Sequence, residues 1–200
     1  MLLAAMALLV ATVSLTLQFF SRPPGDGSPE AGFARDMMVH HAQAVEMANI
    51  VNNRTKSEDI RTLATDITLT QQAQIGQMRG WLDVWELPIT GAEPAMSWMG
   101  DPTKGMMPGM ASSKEINTLR QAPPEKADVK FLQLMIPHHE AAIPMAEAVL
   151  KRADRPEVKR LAGAIATSQK AEIKTMKDML RERGASLPKD KPARHMKDGG

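Results

Sequence analysis

The sequence predicts an all-α fold in which four long amphipathic helices form two copies of one helical hairpin. Three observations predict it. Residues 33–82 align on residues 131–180 without a gap, at a constant offset of 98 and with 17 of 50 positions identical. In both copies apolar residues recur every three or four positions, the period of a helix with one buried face. No alternating strand pattern occurs anywhere in the 200 residues. Self-similarity over such a span means that one supersecondary unit occurs twice.

Taken in order, the chain opens with "MLLAAMALLVATVSLTLQFF", twenty residues without a charge. That is about the length a helix needs to cross a bilayer, and it predicts a signal anchor or signal peptide over residues 1–21. Residues 22–30, with "RPPGDGSPE", predict a linker. A bundle then spans residues 31–184. Its first helix carries the stripe Phe33, Met37, His40, Ala44, Met47 and Val51. Ser57, followed by Glu58 and Asp59, predicts the next helix start, and Ile60, Ala64, Ile67, Gln71, Ile75, Met78 and Leu82 form its stripe. Residues 88–124, rich in Pro, Gly and Met, predict a long crossover loop. The third helix repeats the first with Phe131, Met135, His138, Ala142, Met145 and Val149, and holds Pro137 and Pro144 inside it, where each removes a hydrogen bond and predicts a kink. Pro156 and Glu157 suit the first turn of the fourth helix, whose stripe is Val158, Ala162, Ile165, Gln169, Ile173, Met176 and Leu180, and Gly184 suits its C-terminal cap. Residues 185–200 predict a disordered tail. Four such helices bury their stripes against one another, and the long crossover matches the ferritin-like type of four-helix bundle.

Composition narrows the function. With 25 basic and 23 acidic residues the net charge is +2, which gives no electrostatic basis for binding nucleic acid. The absence of cysteine removes disulfides, thiolate zinc sites and cysteine nucleophiles. Sixteen methionines are a large excess.

The histidines concentrate the chemistry. Four of the five stand at repeat-equivalent positions, in "MMVHHAQAVEMA" and "MIPHHEAAIPMA". His40 and His138 fall on the buried stripes, while His41 and His139 lie about 100° round, on the flank. Met37 and Met47, and in the second copy Met135 and Met145, share the stripes with them. Imidazole and thioether without a carboxylate cluster form a soft ligand set, which favours copper, Cu(I) above all. The Glu-x-x-His motifs of di-iron bundles are absent. Gln71 and Gln169 occupy mid-stripe positions and predict groups that orient the histidines, with Met78, Met176 and Glu172 beside them. A separate cluster in the crossover, Met96, Met99, Met106, Met107 and Met110, predicts an exposed surface for capturing metal. The competing interpretation is a buried polar network within an ordinary methionine-filled core.

The phrases "MVHHAQAVEMA" and "MIPHHEAAIPMA", with "QKAEIKTMKDML" downstream, resemble domain-of-unknown-function family 305 over about residues 30–184. The resemblance implies a ferritin-like four-helix fold, export from the cytoplasm and, as in some members, copper binding through His40, His41, Met47, His138, His139 and Met145. Gln74 departs from the pattern, which has Glu at that place. The combined expectation is an extracytoplasmic protein, anchored to a membrane through its N-terminal segment, that sequesters Cu(I) or passes it to a copper-handling partner. A metal-free structural or interaction module is the alternative. A ferritin-like redox enzyme is a third reading, with no acid/base pair to support it.

Overall fold

The computed structural model describes residues 22–187, together with the isolated positions Met6 and Thr12. The elements are α1 (Pro29–Asn52), α2 (Glu58–Val84), a 3-10 turn (Ser97–Met99), α3 (Ser113–Gln121), α4 (Pro124–Arg152) and α5 (Pro156–Glu182). The architecture is all-α, with no strand among the described residues. Within those residues no helix is long and apolar enough to cross a membrane, and the expected anchor over residues 1–21 lies, but for Met6 and Thr12, outside them.

Local chemistry sets the helix ends. The Ser28 hydroxyl accepts from the Ala31 amide and Pro29 occupies the first turn of α1, where its missing N–H costs nothing. Ser57 caps α2 and bonds the Asp59 carboxylate. The start of α5 is tied to α1: Glu30, 5% exposed, accepts from the Asp154 amide at 2.6 Å and the Arg155 amide at 3.4 Å. Beyond α5, Gly184 takes φ +63°, and the Ala185 amide returns to the Leu180 carbonyl.

Packing follows the repeat. α1 lies on α2, α4 lies on α5, and the two hairpins meet mainly along α1 against α4. The core has two apolar clusters. One joins Phe33 and Met37 of α1 to Met78 and Leu82 of α2, Met145 and Val149 of α4, and Val158 and Ile165 of α5. The other joins Ala44, Met47 and Val51 to Ile60 and Ile67, Phe131 and Met135, and Met176 and Leu180. The residues before His40 thus share a cluster with those after His138, and the residues after His40 with those before His138. α1 and α4 therefore run antiparallel, crossing where the histidines lie.

Several expectations need correction. The linker ends sooner than residue 30, because α1 begins at Pro29, and the third long helix begins at Pro124, well before its stripe. The crossover contains a helix: Ser112 and Glu115 form a reciprocal capping box for α3, which buries Ile116 and Leu119. Pro137 and Pro144 lie inside α4 as expected. Ala185 and Leu187 pack on the second apolar cluster, and Gln133 donates to the Ser186 carbonyl, so the predicted tail is attached at its root. The rest of that tail lies outside the described residues.

Candidate metal centre

Helical periodicity brings His40 and His138 to the α1–α4 crossing, where their ring centroids stand 3.8 Å apart with planes inclined by 34°. The flanking histidines face away from each other, each toward the second helix of its own hairpin. His41 Nε2 donates to Gln74 Oε1 at 2.7 Å, and His139 Nε2 donates to Glu172 Oε2 at 2.6 Å. The two bonds are repeat equivalents, since both pairs are separated by 33 residues. His40 Nε2 meets the carbonyl of Pro108, in the crossover, at 3.3 Å.

All four imidazoles are at most 1% exposed. Only the three nitrogens just named have partners. His40 Nδ1, His41 Nδ1, His139 Nδ1 and both nitrogens of His138 have none. A buried polar atom left unpaired costs about 1–3 kcal/mol, so this layer is an expensive feature of the core. Burial also disfavours the charged form of three of the rings. It pushes His40 down to about 4 and His41 to about 3, with the repulsion that a charged neighbouring imidazole would exert adding to the effect, and it holds His138 well below the ordinary imidazole value. At neutral pH these three rings have lone pairs free and no proton to displace.

The methionines divide between the two clusters. Met37, Met78 and Met145 lie on one side of the imidazole layer, and Met47, Met135 and Met176 on the other. Every one of the six is fully buried. The set Met37, Met47, Met135 and Met145 is therefore not gathered at one point. Gln71 and Gln169 are 3% exposed with Oε1 unpartnered; the residues that hold histidines are Gln74 and Glu172, three positions on. Gln74 was legible from the repeat, being the offset partner of Glu172, but it lies off the apolar stripe. The crossover methionines are mostly not exposed. Met96, Met99 and Met107 are buried in the first apolar cluster, Met110 packs against it, and Met106 is 57% exposed. Apolar side chains on a Gly/Pro loop find a core here because the loop lies across the α1–α4 crossing.

Among the described residues no three His, Cys, Asp or Glu side chains converge as a metal cage. His40 and His138, tilted by 34° at a centroid separation of 3.8 Å, supply two imidazoles side by side at the crossing but no third ligand of that kind. What the residues do supply is a dry layer of unpartnered nitrogens between two banks of thioethers, a donor set suited to a soft cation.

Residues 30–180 match the model of the domain of unknown function DUF305. The chain belongs to this family. Solved DUF305 structures include a candidate secreted protein from Streptomyces coelicolor, 46% identical, covering 82% of this chain and 99% of that one with a TM-score of 0.79. A fragment from Deinococcus radiodurans is 37% identical over 77% of this chain and 96% of that one, with a TM-score of 0.65. CopM in its Cu(I)-bound form is 27% identical over 78% and 96%, with a TM-score of 0.59, and the same protein is solved with Cu(II) and with silver. Protein L153 of Acanthamoeba polyphaga mimivirus is 43% identical over 51 residues, only 26% of the DUF305 chain and 34% of the viral one.

Proposed function

We propose that this protein is an extracytoplasmic copper-binding protein that sequesters Cu(I), or hands it to a copper-handling partner, through imidazole and thioether donors at the α1–α4 crossing. The observation that carries this reading is His138. Its ring is 1% exposed, neither nitrogen has a partner, and a second buried imidazole lies 3.8 Å away, centroid to centroid. A core keeps so costly an arrangement when something else satisfies the nitrogens. His40, His41, His138 and His139 would supply nitrogen, with Met37 and Met145 on one side and Met47 and Met135 on the other. Met78 and Met176 stand behind them, and the exposed Met106 in the crossover is a further thioether. The copper- and silver-bound structures of CopM support the choice of metal, and the secreted relative supports the compartment.

The test is a titration of the metal-free chain with Cu(I) under competition from a chromophoric chelator. The expected result is retention of about stoichiometric Cu(I) by the native chain and none by the His40→Ala, His138→Ala double variant. Native-like binding by the double variant would remove the core site from consideration.

One observation favours a second reading. No cage of three hard or imidazole ligands is preformed, and His41 and His139 already have ordinary hydrogen-bond partners. A metal-free structural or interaction module would have that character. In that case the double variant would lose thermal stability by the same amount with and without Cu(I).

A further inference from the structure

The crossover between residues 96 and 111 is tied across the imidazole layer at both ends. At one end Asp36, 8% exposed, accepts from the Met96 amide at 2.7 Å and from Trp98 Nε1 at 2.8 Å. At the other, the Gln43 amide group makes two bonds with Ala111: Nε2 donates to its carbonyl at 2.9 Å, and Oε1 accepts from its N–H at 2.7 Å. Asp36 and Gln43 are seven residues apart, two turns of α1, and His40 lies between them. Between these ties the Pro108 carbonyl sits on His40 Nε2, and Gly109, at φ +77°, lies so close to α4 that a Cβ there would fall 2.5 Å from the Pro137 carbonyl and 3.0 Å from His138 Cα.

The repeat shows that this contact is a departure from symmetry. Opposite Asp36 stands Leu134, opposite Gln43 stands Ala141, and opposite Val39 stands Pro137. Three of the positions where the copies differ carry the strap or make room for it: Gln43 and Asp36 bond it in one copy, and in the other Ala141 and Pro137 border Gly109. The strap also occupies a nitrogen that a metal would need: the Pro108 carbonyl accepts from His40 Nε2 at 3.3 Å, beside the His138 ring.

We propose that residues 96–111 are a gate on the imidazole layer: Gln43 latches it, the Pro108 carbonyl locks the His40 ring, and Met106, exposed at its tip, is the first donor met by an entering soft monovalent cation. This rests on the copper reading and assigns its route. Loading requires the strap to lift, which frees His40 Nε2 from the Pro108 carbonyl, and Met107, already buried beneath, follows Met106 along the path.

Two variants release the gate by independent means. Gln43→Ala removes both bonds to Ala111, and Gly109→Ala forces the strap off α4. Stopped-flow uptake of Cu(I) from a chromophoric chelator by the metal-free full chain should be about tenfold faster in each, as expected for losing one or two hydrogen bonds from the closed state, with the final Cu(I) content unchanged. The Ala111 amide should exchange with deuterium correspondingly faster in Gln43→Ala. Met106→Leu, at an exposed position that does not threaten folding, should slow uptake. Native-rate loading by Gln43→Ala or Gly109→Ala, with Ala111 exchange accelerated in the former, overturns the gate while leaving copper binding intact. A native chain that takes up no Cu(I) overturns both.

Discussion

At the scale of single residues, the physics is that of neutral rings kept dry. His40, His41 and His138 bind protons less readily when folded than when unfolded, so acidification favours the unfolded chain. Their contribution is intact above the ordinary value of 6.5 and is lost progressively as pH falls toward about 4 for His40 and about 3 for His41. Asp36 and Asp128, both raised by burial, oppose this trend at the acid end. The melting temperature of the metal-free protein should therefore fall between pH 6.5 and pH 4, and the fall should shrink in the His40→Ala, His138→Ala variant. Glu172 supplies a separate prediction. It accepts from His139 Nε2 at 2.6 Å; in Glu172→Leu that N–H loses its acceptor, at a cost of about 1–3 kcal/mol that denaturant titration should show. Of this site, helical period put His40 and His138 on the buried stripes, while His41 and His139, expected on the flank, are buried as fully. Glu172 was expected beside the histidines and meets His139; that Gln74 does the same for His41, and that Gln71 and Gln169 leave Oε1 unpartnered, depends on side-chain positions that the period does not fix.

Among the elements, the long helices were legible and the crossover was not. Their stripes are unambiguous, and Ser57, Pro156 and Gly184 end up as cap, first-turn residue and C-terminal closure. α3 was hidden by its surroundings. Its capping box "SSKE" was present, but a run of Pro, Gly and Met on one side and Pro123–Pro124 on the other made the whole stretch look like loop. Ser112→Ala should destabilise the protein by about 1 kcal/mol in denaturant titration, the usual worth of an N-cap. The 3-10 turn carries more strain. Met96 takes φ +67° and is held there by Asp36, while Trp98 lies flat against the backbone of α1 at Gly32. A Cβ at Gly32 would run into that indole, so Gly32→Ala should cost about 1–3 kcal/mol by overpacking despite its better helix propensity. Circular dichroism on thermal melts distinguishes the two outcomes, since propensity alone would raise the melting temperature.

For the molecule as a whole, two copies of a hairpin meet along α1 against α4, where His40 lies beside His138. The offset of 98 residues made the two-copy architecture predictable, and the clusters on either side of the imidazoles follow from it. What no repeat could reveal is where symmetry is broken, because Leu134 and Ala141 matter only once the strap lies beside them. Under the copper reading the melting temperature should rise with Cu(I), by an amount that grows with the logarithm of free metal, and the double variant should show no rise. The unpartnered nitrogens then bear on the protein's fate in its compartment. An empty chain holds its most costly groups unsatisfied, so it opens more often and offers cleavable backbone to proteases. Under the same copper reading a filled one would be spared, and its half-life would lengthen. Abundance would track metal supply after synthesis, with no sensor other than the core itself.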